Sequence, residues 1–224
     1  MSDIQYHKKT PKIKTILTIL ILCLISALLN TVLSSFISGI IRFPLYLDTV
    51  FTVAVCFAAG LVPGILTGLF SISFSPLVTP YLLGVPAFLT LGGFLFFPCV
   101  LAEIFLVYVF HKKIRSREGV FLEMPSLHNF IGIAAQLLML AALACMAISI
   151  LGGLIDYIMT QLPLLRPNYP EDTFKLGLLV NNVPLLAAAI LSRIPINIVD
   201  RFVVVFGGFG VSLLFRKCLA NKEQ

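Results

Sequence analysis

Charged residues are absent from long parts of this chain. Residues 15–41 contain no Asp, Glu, Lys, Arg or His, and neither do 49–102, 129–155, 176–192 and 202–215. Inside these stretches the apolar residues run together, rich in Leu and Ile, without the alternation expected of barrel strands. A spanning helix needs about 20 such residues at about 1.5 Å each. The pattern therefore predicts one long helix over 15–41 and another over 129–155. The 49–102 stretch is too long for one crossing. Its punctuation, Pro63-Gly64, Ser75-Pro76, Pro80, Gly84 and Pro86, divides it into short helices at 47–61 and 64–75, a broken connector at 76–87 and a helix at 88–111. A last hydrophobic pair, 174–193 and 196–216, is separated by Pro195.

These elements predict an all-α, polytopic membrane bundle of about six transmembrane helices with short or re-entrant segments. The basic clusters give its orientation. Lys8, Lys9, Lys12 and Lys14 precede the first helix; Lys112, Lys113, Arg115 and Arg117 follow 88–111; Arg216, Lys217 and Lys222 follow the last helix. The loop 162–175 is balanced, with Arg166 and Lys175 against Glu171 and Asp172. The positive-inside rule then places both termini and the 112–125 loop in the cytoplasm, which requires an even number of crossings. Seven segments are present, so one falls short. The segment 174–193, interrupted by Asn181-Asn182-Val183-Pro184, is expected to be a half-helix or re-entrant element on the outer side. The alternative is that 47–75 forms a single kinked crossing.

Composition agrees. Of 224 residues, 59% are hydrophobic and 12% charged, with a mean hydropathy of +1.04, against about 25% charged in soluble domains. This excludes a soluble globular protein, a disordered chain and a nucleic-acid binder; the net charge of +6 sits in clusters suited to membrane orientation. The expected organisation is a basic cytoplasmic tail (1–13), a single integral membrane domain (14–217) and a short cytoplasmic tail (218–224). The first stretch is too long for a cleaved leader and is expected to be retained.

Enzyme chemistry finds little foothold. The phosphate-binding G-x-x-x-x-G-K-[ST] and the zinc motif H-E-x-x-H are missing, and His7, His111 and His128 are scattered. Cys23, Cys56, Cys99, Cys145 and Cys218 are isolated, and four lie in hydrophobic stretches, where cysteine acts as a small hydrophobe. A non-enzymatic protein with no cofactor and no metal is expected. Polar residues inside the membrane carry more information. Ser26, Asn30, Ser34 and Ser38 form a polar stripe on the first helix, suited to helix packing or ligand contact. Gly60, Gly64 and Gly68 form a small-residue ladder for close helix approach. Asp48 precedes a hydrophobic helix and reads equally as its N-cap or as a ligand contact. The pair Asp200-Arg201 enters a hydrophobic run, close to Arg193, as a structural ion pair or a ligand site. Glu103 is expected to meet a basic residue or the headgroups and is not assigned to a site.

Three segments together resemble the substrate-binding S components of energy-coupling-factor (ECF) transporters. They are Phe43-Pro-Leu-Tyr-Leu-Asp48-Thr49, Ala58-Ala-Gly60-Leu-Val-Pro63-Gly64-Ile-Leu-Thr-Gly68, and Pro195-Ile-Asn197-Ile-Val-Asp200-Arg201 leading into a final helix with a basic end. Their order and spacing fit over nearly all of 14–217. The resemblance implies a six-helix, multi-pass protein of a bacterial cell membrane that captures a vitamin or related micronutrient from outside. Its implied partners are the lipid bilayer, a shared ECF transmembrane subunit and two ATP-binding subunits. Such proteins often meet the membrane subunit through an Ala-x-x-x-Ala face on the first helix; here Ser34-x-x-x-Ser38 stands in its place. In this reading a small polar ligand is held by Asp48, Asn182, Asn197 and Asp200. With no Trp in the chain, aromatic contacts fall to Tyr46, Phe51 and Tyr81. The competing classes are a membrane sensor or assembly module binding a small ligand, then a solitary secondary transporter, then a membrane enzyme.

Overall fold

A computed structural model describes residues 13–84, 87–160 and 171–220. The basic tail before residue 13, Pro86, residues 161–170 of the balanced loop and the last four residues lie outside it. Eight α-helices occur among the described residues: α1 (Ile13–Ser34), α2 (Val50–Ala59), α3 (Leu61–Leu83), α4 (Phe97–Glu123), α5 (Leu127–Met159), α6 (Asp172–Val180), α7 (Leu185–Leu191) and α8 (Ile194–Ala220). α1 runs on into a π-helical segment, Ser35–Ile40, and a 3₁₀ segment, Ala87–Phe96, leads into α4. No strand occurs among the described residues, and the protein is an all-α membrane bundle.

Residue pairings fix the helix directions. Cys23 meets Pro63, Asn30 meets Ser71 and Ser35 meets Thr79. The offset stays near forty, so α1 and α3 are parallel. Gly64 faces Cys56 and Ile104, while Gly68 faces Thr52 and Val100, so α2 and α4 both run against α3. Glu103 pairs with Arg201 and Glu118 with Arg216, a constant offset that makes α4 and α8 parallel. Phe121 packs on Phe130 where α4 turns back into α5. Three helices thus run one way (α1, α3, α5) and three the other (α2, α4, α8). The start of α1 and the end of α8 lie at the same end of the bundle.

Among the described residues, five apolar segments are long enough to cross a membrane, so the protein is multi-pass. The sixth member, α2, has 10 residues, about 15 Å of helix, yet it is the most enclosed, with Val53, Ala54, Val55, Cys56 and Phe57 fully buried. The outer face of α1 instead exposes Leu17, Ile21, Leu24, Leu28 and Val32, the recurrence expected of a lipid-facing stripe. The segment 174–193 does fall short of a crossing: it is replaced by α6 and α7, nine and seven residues long, hinged at Asn181-Asn182.

The expected break at 76–87 is wrong. α3 continues through Pro76 and Pro80 and stops at Gly84 in the left-handed conformation. Proline in a membrane helix is tolerated where the freed backbone lies beside a polar cavity or neighbouring helices, and Ile72, whose carbonyl Pro76 leaves without its helical donor, lines a cavity. The helix expected at 88–111 starts later and extends through the supposed loop 112–125 to Glu123, so Lys112, Lys113, Arg115 and Arg117 ride on its last turns. The glycine ladder is two devices. A Cβ at Gly64 would lie 3.0 Å from Cys56 Cβ, and one at Gly68 would lie 2.7 Å from Val100 Cγ1, so both mark close packing. Gly60 meets nothing; its φ of +97° makes the sharp turn between α2 and α3.

Candidate functional site

A cavity of about 760 Å³ opens between the C-terminal half of α1, the C-terminal half of α3, the loop 42–49 and the first turns of α4 and α8. All of these lie at the bundle end opposite the start of α1 and the end of α8. One wall is rich in hydroxyls. Thr31, Ser34, Ser35 and Ser38 come from α1 and its π-helical extension, and Ser71, Ser75 and Thr79 from α3. Small side chains let the two parallel helices approach, and most of their hydroxyls bond locally: Ser35 to Thr79 at 3.0 Å, Thr31 to the Ser71 carbonyl at 3.3 Å, Ser38 to the Ser34 carbonyl at 2.6 Å. The extra residue per turn in a π-helix often marks functional positions, and here Ser35, Ser38 and Gly39 of that segment reach the cavity. Asn30 closes the inner end. Its Nδ2 donates to Thr52 Oγ1 (2.8 Å) and Ser71 Oγ (3.1 Å), and its Oδ1 accepts from the Phe51 N–H (2.9 Å).

The opposite wall is charged. Arg193, Asn197 and Arg201 recur every four residues, the spacing that puts side chains on one helical face. All three are at least 96% buried, and all line the cavity. Arg201 is the hub. Its Nη1 donates to both Glu103 oxygens (2.8 and 2.7 Å) and to Thr49 Oγ1 (2.9 Å). Its Nη2 pairs with Asp200 and lies 3.4 Å from Asp48. Arg193 pairs with Glu171 and stacks 5.1 Å from the Phe96 ring centroid. Tyr46 donates its phenolic O–H to Glu171, and desolvation, reinforced by that carboxylate, pushes its pKa well above the ordinary value and keeps the proton in place. Lys175 of α6 donates to Asp156 of α5 at 2.7 Å and lies 3.4 Å from Asp172. These ion pairs clasp α6 onto the cavity end.

The structure sorts the residues expected to hold a ligand. Asp48, Tyr46 and Asn197 line the cavity together. Asp200 does not: it is fully buried, and its Oδ1 accepts the N–H groups of Tyr46 (2.8 Å) and Leu47 (2.9 Å). It holds the loop in which Leu47 takes a positive φ. Phe51 packs against the apolar core behind the cavity. Asn182 forms the exposed turn between α6 and α7, φ 60°, and is not among the cavity-lining residues. Tyr81 is 92% exposed. Asp48 is not the side-chain cap of α2 either. The helix begins at Val50 behind Thr49, without a side-chain cap bond. The two carboxylates Asp48 and Asp200 share one partner, Arg201. In the polar stripe, Asn30, Ser34 and Ser38 reach the cavity and Ser26 does not.

Glu103, left unassigned by the sequence reading, is the principal residue it missed. It is 1% exposed and lines the cavity. A signal was present, since it is the only charged residue between Asp48 and His111, and a buried carboxylate requires a cation. Glu171 and Arg193 carried less signal, because both sit beside other charged or polar residues.

One unmet group stands out. Asn197 donates its Nδ2 to Ser149 Oγ at 2.9 Å, but its Oδ1, buried with the rest of the side chain, carries no hydrogen bond. Buried polar atoms are nearly always paired, so this acceptor, on a residue that lines the cavity, is left open for a donor. Among the described residues, no group of His, Cys, Asp and Glu is arranged to hold a metal ion. Comparison with family models, with curated proteins and with solved structures gives no match to this chain.

Proposed function

We propose that this protein is a substrate-capture membrane subunit of an ECF-type uptake transporter, taking a vitamin or related micronutrient from outside the cell. The observation that carries the reading is the cavity itself. At about 760 Å³ it falls within the roughly 300–1,000 Å³ of small-molecule sites. It lies at the bundle end opposite the basic ends of α4 and α8, which the positive-inside rule assigns to the cytoplasm. In that orientation the cavity faces outward, as a capture site requires. The hydroxyl and charged side chains within a largely apolar lining, with the unmet Asn197 Oδ1, fit a small ligand that carries both apolar surface and polar groups and is held without covalent chemistry. The three-segment resemblance supplies the partners: an ECF transmembrane subunit and two ATP-binding subunits that provide the energy.

The test is purification of the tagged chain from its native membrane in mild detergent. Co-purification of ATP-binding subunits with a second membrane protein, and ATPase activity lost when those subunits are stripped, is the expected result. A chain that purifies alone and still retains a small molecule supports the sensor reading. One that moves substrate alone in proteoliposomes supports the secondary transporter.

A further inference from the structure

We propose that the cavity takes a small organic cation, an amine or a protonated nitrogen heterocycle, received by the Asp48 carboxylate and Asn197 Oδ1. This rests on the capture reading and names the substrate class for the same site.

The argument is one of charge and of unmet hydrogen-bonding capacity. The cavity is lined by the carboxylates of Asp48 and Glu103 and the guanidinium groups of Arg42, Arg193 and Arg201. Behind these Asp200 pairs with Arg201 and Glu171 with Arg193, so lining and partners together hold four carboxylates against three guanidiniums. Arg42 is exposed at the mouth, where water screens it. Arg193 is matched by Glu171. Lys175, the nearest further cation described, is held by Asp156 and Asp172 and adds no spare charge. Three carboxylates therefore converge on Arg201, and two of them, Glu103 and Asp200, are almost fully buried and take its closest contacts. Asp48 is the remaining one. It lies farthest, at 3.4 Å, and half of its side-chain surface is uncovered. The charge left on Asp48 faces the cavity with Arg201 shared among three carboxylates, and a cation entering the cavity supplies the partner it lacks.

Hydrogen bonding points the same way. The hydroxyl wall is largely satisfied by its own bonds. The orphan Asn197 Oδ1 is an acceptor that calls for a ligand N–H or O–H. Arg201 Nε also lacks an acceptor; since that guanidinium's charge is already matched, a neutral ligand oxygen or a water serves it. The exposed Phe43 ring, also lining the cavity, offers a face to a cation.

The probes are phenethylamine, 2-phenylethanol and phenylacetate, three molecules of similar shape carrying positive, zero and negative charge at pH 7. Each is titrated against the detergent-purified full chain, with thermal stabilisation as the readout. The amine is expected to act at concentrations at least ten times lower than the alcohol, with the carboxylate weakest. Asp48→Asn should bring amine and alcohol within threefold, and Asp48→Glu should keep the preference. If Asp48→Asn does not fold, Asn197→Ala serves: it should weaken the amine at least fivefold without favouring the carboxylate. An alcohol or carboxylate as effective as the amine overturns the proposal, as does the absence of any response to the amine, a full preference retained in folded Asp48→Asn, or an undiminished amine response in folded Asn197→Ala. Failure here with ATP-binding partners co-purified removes only the charge assignment. A cation preference without such partners removes the capture reading instead.

Discussion

Replacing Arg201 with Met keeps the length of the side chain's apolar stem and deletes the cation on which Glu103, Asp200 and Asp48 converge. Glu103, 1% exposed, loses both of its 2.7–2.8 Å bonds to the guanidinium. Asp200 is better protected, because the Tyr46 and Leu47 N–H groups remain. A stranded carboxylate can escape by protonation, at about 4 kcal/mol at pH 7 for a group of ordinary pKa. That bounds the effect of Glu103 and agrees with the roughly 3–5 kcal/mol typical of breaking a buried pair by removing one partner. Glu103→Gln should cost less, about 1–3 kcal/mol, because Arg201 keeps Asp200 and Asp48. The double variant should then recover about 1.5 kcal/mol or more over the sum of the two single effects, the coupling expected between contacting residues. The chain carries its own reporters: Cys23, Cys56, Cys99 and Cys145 are buried free thiols and only Cys218 is exposed, so a thiol-reactive dye follows unfolding on heating. With about 2–4 °C per kcal/mol for a chain of this size, Arg201→Met should lower Tm by about 6–20 °C. A shift below about 2 °C, or simple additivity in the double variant, refutes the ion-pair hub.

Other consequences are as direct. Gly153→Ala should lower Tm clearly, since its Cβ would sit 2.7 Å from the Ile190 backbone Cα, whereas Gly210→Ala, with nothing within 4 Å, should not; equal shifts on the same thermal assay would deny the close α5–α7 contact. Asp200→Asn should destabilise the 46–47 loop by about 1–3 kcal/mol, read as faster proteolysis or hydrogen exchange in that loop, and an unchanged exchange rate would contradict its role as a backbone anchor. Asp48 lies outside the spanning segments, and desolvation holds its carboxyl above the ordinary value, with Arg201 opposing. A cation needs the ionised form, so amine affinity should be full above that raised value and fall as pH drops through it. Titrations at several pH values check this, and Asp48→Asn should flatten the profile.

The sequence by itself determined the class of solution. Long charge-free runs have one stable arrangement in lipid, the helix, because every backbone N–H and C=O must be satisfied within the segment. The break in 174–193 was legible too, because Asn181-Asn182 and Pro184 interrupt a run of about crossing length, although the sequence also left 47–75 open as a single kinked crossing. The close approach at Gly64 and Gly68 was legible in their spacing. Local signals failed where the environment could override them. Pro76 and Pro80 read as breakers, but the surrounding helices and the polar cavity let α3 run through. The basic run 112–117 read as a loop, although long cationic side chains ride well on a helix that projects beyond the apolar layer.

Only the tertiary structure decided the site. Asp48 and Asp200 look alike in the sequence, each a carboxylate at the start of a hydrophobic run. Their roles separate because Asp200 turns toward the backbone of residues 46 and 47 while Asp48 opens on the cavity. Glu103 meets Arg201 across 98 positions of chain and Tyr46 meets Glu171 across 125. Such partnerships leave no trace in local periodicity. The first arises because α4 and α8 run in the same direction, the second because the segments before α2 and α6 meet at the same end of the bundle. In a low-dielectric interior each buried charge must find its partner on whichever segment the packing brings beside it.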